Sequence, residues 1–224
     1  MRTLTLLVAA AFLSAVPHAS FGASSERPSP ASVQQPPTAS KPAPDEVLGP
    51  ERRRLRKGFD QALKAFEAER YAEAAAGFEE LLAKVEWPEA SFNAAWARYV
   101  ELDLPKAESH AAAAVRGMAN DAEAARLHAL VLHDLGRHAD AQRLVRSALE
   151  LVGAEGDITL RARLELLQGS TSRLLGRYRA SQDAYRRALG LATEAQEPLL
   201  IASAHLGMGH VALSMGDATG AAEA

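Results

Sequence analysis

The chain contains no cysteine, few aromatic residues and no apolar run long enough to cross a bilayer. Without cysteine it can form neither a disulfide nor a thiolate metal site, and it has no cysteine nucleophile and no lipid-attachment cysteine. Aromatic residues make up 5% of the 224 residues, although 48% are apolar and alanine is abundant. This composition favours closely packed helices with small contact residues over a sheet, which would need more β-branched and aromatic side chains.

A strong excess of positive charge is also missing. The formal net charge is −3 at pH 7. Proteins that bind nucleic acid without sequence preference carry a clearly basic surface that neutralises phosphates. The charge balance therefore predicts that the chain does not bind nucleic acid.

The N-terminus has the pattern of a secretory signal peptide at residues 1–22. Arg2 supplies the positive start, residues 4–16 form an apolar run too short to span a bilayer, and Pro17 interrupts it. Small residues precede a cleavage point before Ala23. We expect export to the periplasm or cell envelope, with no membrane span after cleavage; the alternative is an uncleaved N-terminal anchor.

Residues 23–50 are predicted to form a disordered linker. This segment is rich in Pro, Ser and Ala and lacks the apolar content that would offset the entropy of ordering it. It is either a tether that holds the folded domain away from a membrane or wall, or a spacer that clears the export site.

One short phrase recurs along the rest of the chain: a turn, then an aromatic or apolar residue, then a small residue three positions later. The small residues follow one another in steps of 33, 34, 40 and 40, and a second small residue stands twelve positions before each one. Two helices approach closely only where the facing side chains are small. The pairs are Ala62 and Ala74, Ala95 and Ala107, Ala129 and Ala141, Gly169 and Ser181, and Gly209 and Ala221.

These residues resemble the tetratricopeptide repeat family over residues 51–224, and the 40-residue steps resemble its longer-helix variant. The resemblance implies an all-α fold, an α-solenoid of about four to five stacked antiparallel helix hairpins. The second unit departs from the family pattern, because it has no turn glycine and has Ala111 where a large ring is usual. This departure predicts a shifted or loose second hairpin. The last unit is incomplete at Ala224, which predicts either a truncated chain or a partner over the open edge.

In the family that this chain resembles, the first helix of each unit lines a concave groove that receives a partner segment. Aromatic rings and arginines are favoured sources of binding energy. The alternative for the phenylalanines is that they close the core of the N-terminal end. Carried over to this chain, the groove residues are Phe59, Phe66, Phe92, Trp96, Tyr99, Arg126, His133, Arg163 and Arg173.

No residue pattern for catalysis, cofactor binding or metal binding is found. His128, His133 and His138 are spaced by five, whereas ligands on one helix face need a spacing of three or four. There is no phosphate-binding loop, nucleophile elbow or HExxH motif. We expect a non-enzymatic protein-interaction scaffold. The alternatives are a regulatory or recruitment module of an envelope enzyme, and an element that self-associates through its open C-terminal repeat.

Overall fold

A computed structural model describes residues 43–45, 47 and 49–216. The predicted signal peptide, most of the predicted linker and Ala221 lie outside these residues. The first helix begins at Gly49, two residues before the start expected for the repeat domain. Over the described part the chain forms nine helices: α1 (Gly49–Glu67), α2 (Tyr71–Leu82), α3 (Pro88–Val100), α4 (Leu104–Gly117), α5 (Ala122–Asp134), α6 (His138–Val152), α7 (Ile158–Leu174), α8 (Tyr178–Glu194) and α9 (Pro198–Ser214).

The described helices form two layers. Each odd-numbered helix pairs with the even-numbered helix after it, so that α1–α2, α3–α4, α5–α6 and α7–α8 are hairpins. Successive odd-numbered helices also contact one another, whereas the described even-numbered helices do not. The odd-numbered helices are therefore the inner layer, and the even-numbered ones the outer layer. This arrangement is the predicted all-α solenoid of stacked hairpins.

The recurring phrase corresponds to a recurring helix ending. Gly136 (φ 76°), Gly176 (φ 71°) and Gly216 (φ 80°) each stand five residues before the small residue of their unit. In the third unit the Gly136 N–H donates to the His133 carbonyl at 3.0 Å, and the Arg137 N–H donates to the Leu132 carbonyl at 2.8 Å. These two bonds satisfy carbonyl groups that the helix end leaves open, which is the Schellman arrangement.

The second hairpin is regular, although its sequence predicted a shifted or loose one. Leu102 has φ 62° and donates its N–H to the Tyr99 carbonyl at 3.0 Å, while the Asp103 N–H donates to the Arg98 carbonyl at 2.9 Å. The Asp103 carboxylate then caps α4 by accepting from the Lys106 N–H. A leucine thus occupies the left-handed position that glycine occupies in the third and fourth units. Because the Leu102 side chain is 74% exposed, its burial contributes little stability that would offset the unfavourable backbone conformation.

Replacement of Leu102 by glycine is expected to stabilise the protein. A non-glycine residue in the left-handed region costs about 1–2 kcal/mol, which glycine avoids. We expect the Leu102→Gly variant to gain about 1 kcal/mol in the free energy of unfolding, measured by chemical denaturation. The matched reciprocal variant is Gly136→Leu, where an added Cβ meets no atom within 4 Å and only the backbone is affected. It should lose a similar amount. Equal stabilities for Leu102→Gly and wild type would contradict the proposed strain.

Small residues allow the helices to approach closely. Among the predicted packing residues that the structure describes, all are buried except Gly209, which is half-buried. In the fourth unit the Ser181 hydroxyl donates to the Gly169 carbonyl at 2.7 Å, joining the two predicted positions directly. In the fifth unit the close contact shifts to Gly207, because the Tyr185 ring packs there. The buried members are Ala62, Ala74, Ala95, Ala107, Ala129, Ala141, Gly169 and Ser181.

Two-pronged ion pairs connect neighbouring helices of the described part at two places. Arg98 on α3 donates to both carboxylate oxygens of Glu79 on α2, at 2.8 and 2.6 Å. These hydrogen bonds from Arg98 lower the pKa of Glu79, with a further contribution from His110, although burial opposes the shift. Arg187 on α8 binds Glu165 on α7 in the same two-pronged way, at 2.8 Å for each bond. Bidentate pairs of this kind fix orientation as well as distance.

Candidate functional site

The inner layer presents equivalent positions on successive helices. On each helix these positions lie three residues before, one residue after and four residues after a small reference residue. The reference residues are Ala95, Ala129, Gly169 and Gly209. We call the side chains at these positions of α3, α5, α7 and α9 the inner surface. They are Phe92, Trp96 and Tyr99; Arg126, Leu130 and His133; Leu166, Ser170 and Arg173; and Leu206, His210 and Leu213.

The first hairpin does not extend this surface with its phenylalanines. Phe66 is buried, and its ring contacts the edge of Tyr71 at a centroid distance of 5.3 Å. Phe59 stacks on Trp87 at 4.5 Å and meets Phe78 edge to face at 5.4 Å. Both rings therefore pack with the core of the first hairpin, which is the alternative that the sequence left open for the phenylalanines.

The aromatic end of the inner surface is a cluster that joins α3 and α5. The Trp96 and Tyr99 rings meet edge to face at 5.7 Å, and the Arg126 guanidinium lies 5.4 Å from the Trp96 ring centroid. Arg126 is buried and donates to both carboxylate oxygens of Glu123, at 2.8 and 2.6 Å. Two nitrogen atoms of its guanidinium group are therefore already bonded within the chain. Phe92 is half-buried and, like Trp96 and Tyr99, packs against the buried residues between α3, α4 and α5.

Tyr99 is fixed in the same cluster by an acidic neighbour. Its hydroxyl donates to Asp134 on α5 at 2.6 Å. Burial is the largest cause that raises the pKa of Tyr99, and the Asp134 carboxylate raises it further by hydrogen bonding and by charge. Tyr99 therefore stays neutral and keeps its proton for this bond. The contact links successive inner helices through a polar group and holds the ring in one orientation.

The next part of the surface joins α5 and α7 through His133. The His133 ring lies 3.2 Å from the Ser170 hydroxyl through Nε2, and 3.4 Å from the Thr171 hydroxyl through Nδ1. Thr171 donates its single proton to the Leu167 carbonyl at 2.6 Å. It therefore accepts from the Nδ1–H group of His133. The ring of His138 lies 5.3 Å from that of His133.

Arg173 and Tyr185 complete this polar region. Tyr185 belongs to α8, yet its ring packs against Gly169 and Gly207, and Ser170 and Arg173 are polar neighbours of its hydroxyl. Burial raises the pKa of Tyr185 above its usual value, although both polar neighbours oppose the shift. The Arg173 Nε atom is buried and has no hydrogen-bond partner. Arg163, the other arginine predicted on α7, is half-buried.

The α9 end of the inner surface is apolar and open. Leu199, Leu206 and Leu213 follow one another at intervals of seven residues, and their exposed fractions are 68%, 55% and 60%. Leu206 and Leu213 stand at the positions that Leu166 and Arg173 occupy one unit earlier. The surface thus changes from aromatic on α3 to polar on α5 and α7, and to exposed leucine on α9.

Two kinds of site are absent from the described part of the chain. No group of three or more His, Cys, Asp or Glu residues there could hold a metal ion. Among the described helices, none combines the length and the apolar character needed to cross a membrane.

Sequence reasoning missed several residues that shape the inner surface. Tyr185, Glu123, Asp134 and Gly207 reach it or pack beneath it from positions outside the predicted set. Leu213 could have been found, because it lies four residues after Gly209, as Arg173 does after Gly169. Tyr185 could not, since nothing in the spacing indicates that an outer-layer side chain passes between two inner helices.

Comparison with known proteins gives matches among solved structures. No protein-family model and no curated protein matches the sequence. MamA from Desulfovibrio magneticus RS-1 matches with a TM-score of 0.65 and 17% identity, over 79% of this chain and 92% of that chain. The apo form of RapI matches with a TM-score of 0.65 and 15% identity, over 73% of this chain and 65% of that chain. A Rap protein complexed with Competence and Sporulation Factor matches with a TM-score of 0.61 and 17% identity, over 80% of this chain and 54% of that chain.

The class of the fold follows from these matches together with the layered hairpins. The chain has a tetratricopeptide-type fold, which confirms the resemblance drawn from its recurring phrase. At these identities the likeness is one of fold.

Proposed function

We propose that the protein is a non-enzymatic protein-interaction scaffold, exported to the bacterial periplasm or cell envelope, that binds an extended or helical segment of a partner protein. The segment lies along the inner surface. Export is proposed from the N-terminal pattern of residues 1–22, and the linker at residues 23–50 separates that signal from the binding domain.

The observation that carries this proposal is the continuity of the inner surface. Aromatic, polar and leucine side chains follow one another across α3, α5, α7 and α9, at the same register positions of each helix; most of those on α3, α5 and α7 are half-buried, and those on α9 are exposed. Partly exposed rings and leucines beside fixed polar groups supply the apolar contact and the orientation that a bound segment needs. Among the solved structures of similar fold, one Rap protein is complexed with Competence and Sporulation Factor. That precedent favours binding by this kind of scaffold over catalysis.

The Trp96→Ala variant is expected to lower partner affinity by about 2 kcal/mol, roughly thirtyfold, while the helical circular dichroism signal persists. A cross-linking pull-down from the native envelope identifies the partner, and titration of the purified partner then gives Kd. The comparison variant is Trp87→Ala, whose ring stacks on Phe59 in the core. It should lower stability and leave Kd of the folded protein unchanged. An unchanged Kd for Trp96→Ala would contradict binding at the inner surface.

A second candidate function, self-association, is favoured by the exposed leucines of α9. If Leu199, Leu206 and Leu213 stack against another copy, the apparent mass should rise with concentration in sedimentation velocity. The Leu206→Ser, Leu213→Ser double variant should then remain monomeric. A concentration-independent monomer for wild type would exclude this candidate.

A further inference from the structure

Arg173 differs from three other arginines of the described helices. Arg98, Arg126 and Arg187 each donate in two-pronged fashion to a carboxylate, namely Glu79, Glu123 and Glu165. Arg173 is half-buried and forms no ion pair with any carboxylate of the described residues. Its Nε atom is buried without a hydrogen-bond partner. Partial burial of a cation without a counter-charge is unfavourable, so this position is adapted to an anion from elsewhere.

The side chains around Arg173 supply no negative charge either. Ser170 and Tyr185 contribute only uncharged hydroxyl groups. His138 has a buried Nδ1 atom without a hydrogen-bond partner. Burial lowers the pKa of His138, the positive charge of Arg173 lowers it further, and Asp134 opposes both.

Asp134 is already engaged by another residue. It accepts the Tyr99 hydroxyl at 2.6 Å on the neighbouring inner helix. The region around Arg173 therefore contains a positive charge that forms no ion pair with a carboxylate of the described residues. An arginine in this state favours an incoming carboxylate, because a charge-assisted hydrogen bond would compensate its charge.

The apolar side chains around Arg173 further restrict the kind of ligand that would fit this site. Leu166 lies two turns before Arg173 on α7, and the next inner helix presents Leu206 and Leu213, which are 55% and 60% exposed. A free phosphate or a small metabolite anion would leave these leucines uncovered. A peptide segment with apolar residues on both sides of an acidic one would cover them.

We propose that Arg173, with Ser170, Tyr185 and His138 beside it, is the binding site for an aspartate or glutamate side chain of the partner segment, flanked in that segment by apolar residues. The proposal rests on the proposed function, since it assigns the segment a register: its carboxylate lies at Arg173, and its apolar residues lie on Leu166, Leu206 and Leu213.

Two synthetic peptides test this site without knowledge of the natural partner. One is acetyl-Ala-Leu-Glu-Leu-Ala-amide, and the other has glutamine in place of glutamate. Each is titrated to millimolar concentration into protein labelled with nitrogen-15, and the Arg173 Nε–H and Trp96 indole resonances are followed by NMR. The glutamate peptide is expected to shift the Arg173 resonance saturably and to bind at least about tenfold more tightly than the glutamine peptide.

Two variants separate the site from general charge effects. Arg173→Gln should reduce the affinity for the glutamate peptide to that for the glutamine peptide. The control Arg179→Gln removes an exposed arginine of α8 and should leave both affinities unchanged. Equal binding of the two peptides by wild type, or full affinity in Arg173→Gln, would overturn the carboxylate site. Shifts of Trp96 with both peptides would then leave the proposed function standing, whereas no shift anywhere on the inner surface would overturn both.

Discussion

Replacement of Ala141 by arginine is expected to destabilise the protein by at least about 3 kcal/mol. Ala141 lies in the first turns of α6 with no exposed surface, at the position where the third hairpin requires a small side chain. A long side chain there must push the helices apart, and its charge has no carboxylate prepared for it. Chemical denaturation followed by circular dichroism measures the loss directly.

Ala139 provides the matched control for this prediction. It lies two residues earlier on the same helix and is exposed. Arginine at Ala139 experiences a similar effect of the helix dipole but no overpacking, so we expect a change within about 0.5 kcal/mol. If Ala141→Arg and Ala139→Arg unfolded at the same denaturant concentration, the close contact assigned to the third hairpin would be wrong.

Truncation of the Tyr185 side chain is also expected to destabilise the protein strongly. Tyr185 is 5% exposed and packs against Gly169 and Gly207; a Cβ added at these glycines would lie 2.8 and 2.3 Å from the ring. Truncation to alanine leaves a cavity between α7, α8 and α9, and we expect a loss of about 3–5 kcal/mol. Tyr185→Phe keeps the packing and removes only the hydroxyl, so its loss should be nearer to about 1 kcal/mol.

A double-variant cycle makes this prediction specific to the ring and glycine contact. In wild type, Gly207→Ala should destabilise by about 1–3 kcal/mol, because the added methyl group overlaps a ring that has no space to move. In the Tyr185→Ala background the overlap disappears, and alanine should stabilise α9 by about 1 kcal/mol through its higher helix propensity. The effect of Gly207→Ala therefore changes sign between the two backgrounds. The same sign in both would show that the two residues are not coupled.

The hairpin ends and the layers were predictable from sequence, because they depend on local and repeated features. The repeated spacing alone was enough to infer the turn glycines Gly136 and Gly176 and the small residues on both sides of each turn. Leu102 shows the limit of this reasoning. The bonds around the second turn hold a leucine in the left-handed conformation, so the missing glycine did not mean a missing turn.

The inner surface was harder to predict, since it depends on which side chains already have partners within the chain. Position alone made Arg126 a donor for a partner, yet Glu123 three residues earlier binds it. Position alone also put Phe59 on the surface, whereas Trp87 from the segment before α3 covers its ring. Arg173 stands at the position that His133 occupies one unit earlier, and it forms no ion pair with a carboxylate of the described residues. The difference is set by neighbours from other helices, which spacing does not reveal.

Site-specific photo-cross-linking tests the central claim, that the inner layer receives the partner, most directly. A photoreactive phenylalanine analogue is placed at Leu206, which is 55% exposed on α9, or at Leu151, which is 41% exposed on α6 of the outer layer. Each substitution replaces an exposed leucine, so the two differ mainly in whether the photoreactive group lies on the inner or the outer layer. We expect a covalent adduct with the partner from position 206 that disappears in the Trp96→Ala background, and none from position 151. An adduct from position 151 alone would contradict the account.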